Sequence, residues 1–167
     1  MSSSDSSQVM PMISNRRFLE AIFGERWREA QVVYFLGDPD NQPKGSWQRH
    51  NAGDVIEMLD ARHNNYFEVS LPDGTPGVLV FDDVGIKVDR RALERIMGPP
   101  SYVLETSPGS YQVGYLLDPA ADQALMAARR RTLHKVLGGD NLKNPRALMR
   151  LPSGANGKLK YRPGGDQ

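Results

Sequence analysis

The sequence predicts one mixed α/β domain, with an antiparallel-leaning sheet and helices packed on it. Three observations carry that expectation. Short β-rich runs at 31–36, 66–71, 78–81, 101–106 and 111–117 alternate with stretches of helical periodicity. Two of these runs are joined by Ser107-Pro-Gly-Ser, the connection of a hairpin. The chain has 167 residues, 39% hydrophobic and 25% charged, which is enough for one core and leaves little room for a second.

Taken in order, residues 1–13 are Ser-rich and read as a disordered tail. Asn15 suits an N-cap for a first helix over 16–30, where Phe18, Leu19, Ile22, Phe23 and Trp27 fall at helical spacing and Gly24 interrupts. A strand at 31–36 leads into a Pro/Gly/Asp loop at 37–45, a short strand at 46–51 bearing Trp47, and a short helix at 55–62. The strand at 66–71 ends in a Pro-Asp-Gly turn. Val78-Leu-Val-Phe81 is the densest apolar run, and it stops at two aspartates, as a buried central strand ending in charge does. Asp89 caps a helix over 90–97, closed by Gly98-Pro-Pro. After the hairpin, Pro119 opens the longest helix, 120–137, with Leu125, Met126, Leu133, Val136 and Leu137 as its apolar stripe. Arg129, Arg130, Arg131 and Lys135 occupy most of its remaining surface. A last strand covers 146–151. The domain is read as 14–162, with a flexible tail at 163–167.

Several classes are excluded. There is no cysteine, which removes disulfides, thiolate metal sites and cysteine nucleophiles, and a reducing, cytoplasmic setting is expected. No apolar run approaches the roughly 18 residues that span a bilayer, and the N-terminus has no signal-peptide pattern. The net charge of +1 conceals a split: residues 1–118 sum to −6 and residues 119–162 to +8. Such a chain can hold cations with one half and phosphates with the other; the plain alternative is a solvated basic helix face.

Four segments can carry chemistry. Asp82-Asp83 follows the apolar strand. Adjacent carboxylates repel by about 1 kcal/mol or more near a surface, and a divalent magnesium or manganese ion offsets them with hard oxygen ligands. Strand alternation sends neighbours to opposite faces, so both reach one ion only if the strand twists or ends between them. Glu105-Thr-Ser-Pro-Gly-Ser-Tyr-Gln112 is a hairpin whose hydroxyls and backbone amides can cradle phosphate. Gly138-Gly139-Asp140 gives an aspartate freedom to approach a metal held by the other two. The segment 146–162 carries Arg146, Arg150, Lys158, Lys160 and Arg162 beside Gly, Ser and Asn156, a composition suited to phosphate oxygens. Taken singly, these also read as a solvated turn, a plain hairpin, a helix C-cap and a solubilising tail. Lys87 can offset the aspartates or touch a phosphate, and it equally reads as simply exposed; Trp27 and Trp47 read as core.

In this order and at these gaps, the four segments resemble the RepB-type DNA primases of plasmids and phages, members of the archaeo-eukaryotic primase, or primase-polymerase, superfamily. The resemblance covers roughly residues 30–160. It implies a catalytic core related to the RNA-recognition fold, with a two-metal nucleotidyltransferase site. Asp82 and Asp83 stand at the first acidic motif and Asp140 at the third, which makes these three the metal-binding, catalytic carboxylates, with Mg2+ or Mn2+ as cofactor. Ser107, Gly109, Ser110 and Gln112 stand at the motif that contacts the triphosphate, with Gln112 where the wider superfamily has His. Arg150, Asn156 and Lys158 fall in a segment used near the nucleotide, and Arg129, Arg130 and Lys160 are the expected DNA contacts. The chain departs from the pattern in reading Asp-Asp rather than Asp-x-Asp, and Leu-Pro-Ser rather than Leu-Pro-Gly. It ends at Gln167, before the helical domain that working primases carry, which bears on de novo priming more than on nucleotide binding.

The expected function is therefore metal-dependent joining of nucleotides on a single-stranded DNA template in plasmid or phage replication. The expected partners are that template, nucleoside triphosphates and a helicase or replication initiator, with no membrane. The alternative is a non-catalytic single-strand-binding module of a replication protein, for which Tyr66, Phe67, Tyr102 and Tyr111 are available. A rolling-circle nuclease is disfavoured because no His-x-His occurs.

Overall fold

A computed structural model describes residues 13–35, 47–59, 64–139, 142 and 144–154. Its elements are α1 (Asn15–Phe23), a 3₁₀ turn (Gly24–Glu29), β1 (Gln31–Phe35), β2 (Gln48–Asn51), α2 (Ala52–Val55) with a 3₁₀ turn (Ile56–Met58), β3 (Asn64–Glu68), β4 (Val78–Val84), α3 (Arg90–Met97), β5 (Tyr102–Ser107), β6 (Ser110–Leu116), α4 (Gln123–Leu137) and β7 (Leu148–Arg150). The α/β class is as the sequence predicts. Among the described residues the strands form two antiparallel sheets rather than one: β2-β1-β3-β7 and β4-β6-β5.

Alternation along β4 explains how the sheets are buried. Val78 and Val80 face one apolar cluster, which also holds Phe18, Leu19, Trp27, Val32, Phe67 and Met149. Leu79 and Phe81 face a second cluster, with Val84, Val88, Leu93 and Val113. A strand covered on both faces needs a continuous apolar run, which is what Val78–Phe81 supplies.

Two buried side-chain amides tie the last strand to the rest. Gln112 of β6 is 1% exposed. Its Oε1 accepts from the Arg150 N–H at 2.9 Å, and its Nε2 donates to the Arg150 carbonyl at 3.1 Å. Asn15 does the same one turn of chain later: its Oδ1 accepts from Ser153 N–H at 2.8 Å and its Nδ2 donates to the Ser153 carbonyl at 3.1 Å. A primary amide reproduces the donor–acceptor pair of a peptide, so each docks on the chain as a short extra strand would. Asn15 is thus an anchor; the N-cap of α1 is Ser14, whose Oγ accepts from Arg17 N–H. Gly114 leaves the space over which the Tyr102 ring lies, edge-on to Phe18 at 4.9 Å; a Cβ there would fall inside that ring.

Three expectations are corrected. The first helix ends at Phe23, because Gly24 adopts φ 58 and tightens the chain into the 3₁₀ turn. The last helix starts at Gln123, capped by Asp122 rather than opened by Pro119. Its buried stripe also differs. Leu125 and Val136 are 50% and 63% exposed, whereas Met126 and Arg130 are buried, with Leu133 and Leu137 partly covered. Arg130, expected on a DNA-facing surface, is 5% exposed among Val69, Val80, Leu142 and Met149. Among the described residues one terminal guanidinium nitrogen has no hydrogen-bond partner, and burial lowers the group's pKa from its ordinary value. A desolvated charge without full compensation is costly. Arg130→Met, which keeps the apolar stem, is therefore expected to raise the stability measured by urea unfolding by about 1 kcal/mol; a drop in stability would show that the guanidinium is compensated.

Candidate active site

The candidate site begins with a parity problem. Phe81 pairs with Val113 and Val84 with Tyr111, so Asp82 and Asp83 together stand opposite the single residue Gln112. This is a β-bulge. Without it, Phe81 and Val84, three residues apart, would lie on opposite faces; with it, both are fully buried in the second cluster. The same extra residue frees two adjacent carboxylates from strict alternation, which the sequence alone left open. Asp83 takes up the irregularity with φ 53, a left-handed conformation that Asp tolerates better than most residues.

The carboxylates are held by neighbours. Asp82 Oδ1 accepts from the Asp83 N–H at 3.0 Å. Asp83 Oδ1 accepts from Ser110 Oγ at 3.2 Å, and Asp83 Oδ2 pairs with Lys87 Nζ at 3.0 Å. The Asp83 carbonyl accepts from the N–H groups of Ile86, Lys87 and Val88, which closes the turn that delivers Lys87. Gly85, at φ 95, brings that turn against the Ser107–Ser110 hairpin; a Cβ there would come within 2.7 Å of the Gly109 carbonyl. The first and second predicted motifs are therefore one constellation.

The hairpin residues are not equivalent. Ser110 and Gln112 are buried and engaged, Ser110 with Asp83 and Gln112 with Arg150 and the Tyr102 hydroxyl at 3.2 Å. Ser107 and Gly109 lie nearer the surface, and the Gly109 N–H donates to Glu105 Oε1 at 3.2 Å. Burial pushes the Tyr102 phenol well above its usual pKa; the Gln112 hydrogen bond opposes this and the Asp82 charge adds to it. The Arg150 side chain is fixed by two residues of β3: its Nη1 donates to Asn64 Oδ1 at 2.9 Å, and its guanidinium stands 4.9 Å from the Tyr66 ring centroid.

Asp140, Asn156, Lys158 and Lys160 lie outside the described residues, and Arg129 is exposed on α4. Among the described residues no three His, Cys, Asp or Glu side chains stand together as metal ligands. The donors that are present suit a hard divalent cation: two carboxylates and a hydroxyl, with an ammonium already drawn to Asp83. Sequence reasoning missed Asn64 and the Gln112–Arg150 link, because both depend on long-range register. Of the aromatics considered for strand binding, Phe67 is core, Tyr102 packs on Phe18, and Trp47, read as core, is half-exposed against Tyr66.

No protein family and no curated protein sequence gives a significant match to the chain. Solved structures do, and the fold they define is that of primase catalytic domains. The crystal structure of primase RepB' superposes with a TM-score of 0.57 at 20% identity, over 87% of this chain and 51% of that one. The catalytic domain of primase RepB' in complex with initiator DNA gives 0.53 at 19% identity, over 83% and 76%. The chain spans about half the length of the first of these, and the likeness is one of fold.

The left-handed Asp83 makes a specific demand. Asp83→Gly and Asp83→Ala remove the same side-chain hydrogen bonds and differ only in backbone cost. The glycine variant is expected to be the more stable by about 1 kcal/mol in urea unfolding, the order opposite to that in a regular strand.

Proposed function

We propose that this chain is a metal-dependent nucleotidyltransferase core of the primase or primase-polymerase kind, joining nucleotides on a single-stranded DNA template in plasmid or phage replication. One observation carries the reading: a bulge at the end of β4 takes Asp82 and Asp83, both partly buried, out of strict strand alternation, in a fold shared with primase catalytic domains.

Asp82 and Asp83, joined by Asp140, are the residues that would hold Mg2+ or Mn2+. Such ions, if held there, would supply the positive charge that lowers the pKa of a 3′-hydroxyl and offsets the charge of a pyrophosphate leaving group. The chain's own residues do the rest by positioning. Ser110 fixes the orientation of Asp83. Gln112 holds the Arg150 main chain, while Asn64 and Tyr66 aim its guanidinium, which binds a phosphate oxygen of the incoming nucleotide. Asn156 and Lys158 are proposed to bind the same nucleotide. Phosphoryl transfer asks for little covalent chemistry, so the lack of a Cys or His nucleophile is no handicap. A helicase or replication initiator is the proposed protein partner.

Asp82→Asn and Asp140→Ala are each expected to abolish nucleotide incorporation on a primed single-stranded template while leaving the thermal melt nearly unchanged. Retained incorporation in both variants would sink the reading. Single-strand binding that is indifferent to chelator, with no incorporation by the parent chain, would favour the binding-module alternative.

Lys87 supplies a second check. Its ammonium lies 3.0 Å from Asp83 Oδ2 and is half-exposed, so it opposes an incoming cation at a cost of about 1 kcal/mol. Lys87→Gln should bind Mn2+ about fivefold more tightly when free Mn2+ is counted by electron paramagnetic resonance. Weaker binding would show that the lysine supports the site rather than competing for it.

A further inference from the structure

The four-stranded sheet carries a second constellation, away from the two aspartates. Glu68, at the end of β3, is 2% exposed. One of its carboxylate oxygens pairs with Arg49 of β2; the other accepts from Arg146 Nε at 3.0 Å. The two arginine side chains remain 49% and 55% exposed. A buried carboxylate is expensive to keep. Here it draws two like-charged guanidiniums together and fixes both. Each guanidinium has five N–H donors in a rigid fork, and one carboxylate oxygen does not exhaust them. The negative charge is inside and both positive charges are at the surface.

Register places this triad on one face of the sheet, where the central Val33 is 7% exposed and the arginines stand at the margins. Arg49 pairs with Val33, Val33 with Tyr66, and Tyr66 with Arg150, so these residues form one row across all four strands. Glu68 is two residues from Tyr66 and shares its face. Trp47 stands edge-on to Tyr66 at 5.7 Å, and the Arg150 guanidinium covers the Tyr66 ring. The first apolar cluster occupies the opposite face, with Val32, Phe67 and Met149. Ordered arginines beside the partly exposed rings of Tyr66 and Trp47 supply what a single strand requires: cations for its phosphates and flat surfaces for its bases. At strand spacing the row is about 14 Å long, and it ends at Arg150, whose main chain is bonded to Gln112 opposite the bulge.

We propose that this sheet face is the track of the single-stranded template, with Arg49 and Arg146 on backbone phosphates and Tyr66 with Trp47 under the bases. The proposal rests on the nucleotidyltransferase reading for its choice of DNA. It moves the DNA-binding surface from α4, where Arg130 is buried, to the sheet.

The test is fluorescence anisotropy of a labelled oligodeoxythymidylate with the full chain in chelator, over a series of salt concentrations. The Arg49→Gln/Arg146→Gln double variant should bind at least tenfold more weakly, and the slope of log K against log salt should shrink by about 0.7 for each phosphate no longer neutralised. Tyr66→Leu should weaken binding about fivefold or more with the slope unchanged. Manganese affinity should be unaltered in both variants. Parental affinity and slope in the double variant, or a reduced slope in Arg129→Gln instead, would overturn the track. Should the double variant melt early, Arg49→Lys/Arg146→Lys keeps the charge and is expected to keep the slope; a reduced slope there would count against the proposal. The assay contains no metal. A parent chain that binds the oligonucleotide here but incorporates no nucleotide sinks the catalytic reading and leaves the track standing, while incorporation without these binding effects does the reverse.

Discussion

Gln112 and Arg150 exchange two hydrogen bonds, a side-chain amide against a main-chain peptide, and through them a strand of one sheet is fastened to a strand of the other. The rest of the candidate site depends on that exchange. It sets Arg150, with Asn64 and Tyr66 from the first sheet, beside the bulge that carries Asp82 and Asp83 in the second. A buried amide that loses either partner is left with an unmet polar group, so the exchange tolerates little variation in distance. The Asn15–Ser153 pair repeats it at the other end of the same segment. Between the two clasps, residues 150–153 are held in one path.

The bulge is the second constraint, and it follows from the first core requirement of β4. Phe81 and Val84 must both be buried, and they are separated by an odd number of steps. Some residue has to be taken out of the ladder, and the chain places its two acids there. The cost appears as a left-handed Asp83 and two adjacent charges. Ser110, Lys87 and the turn around the Asp83 carbonyl offset it. Strain and charge concentrated at one point of an otherwise apolar strand are what make the bulge the candidate site.

What could be read from the sequence follows a physical line. The helix over Arg90–Met97, with its Asp89 cap and Gly98 terminus, is found where the pattern places it, because caps and periodicity are local. The hairpin and the apolar strand were legible for the same reason. The motif order pointed to a primase-like core, and the structural neighbours bear out the fold. Register, by contrast, was invisible. Nothing near Gln112 in the chain indicates that it will meet Arg150, 38 residues on, or that Arg49 and Arg146 will share one carboxylate. Arg130 misled for a related reason: a basic residue among basic neighbours reads as surface, and only tertiary packing puts its stem in the interior.

The charge split along the chain changes meaning in this light. Residues 1–118 are net acidic and residues 119–162 net basic, which suggests one half for metal and the other for polyanion. Folding does not keep the halves apart. Arg49, from the acidic half, lies on the same face as Arg146 and Arg150, from the basic half, and the acid between them, Glu68, is buried. Near the bulge the reverse holds, since Lys87 of the acidic half partly neutralises Asp83. Antiparallel pairing brings together residues about a hundred positions apart, so the sign of a surface is set by register and burial rather than by the running sum of charge. The basic half contributes to the proposed polyanion face through β7 and the residue that leads into it, and its most arginine-rich helix turns one of its arginines inward.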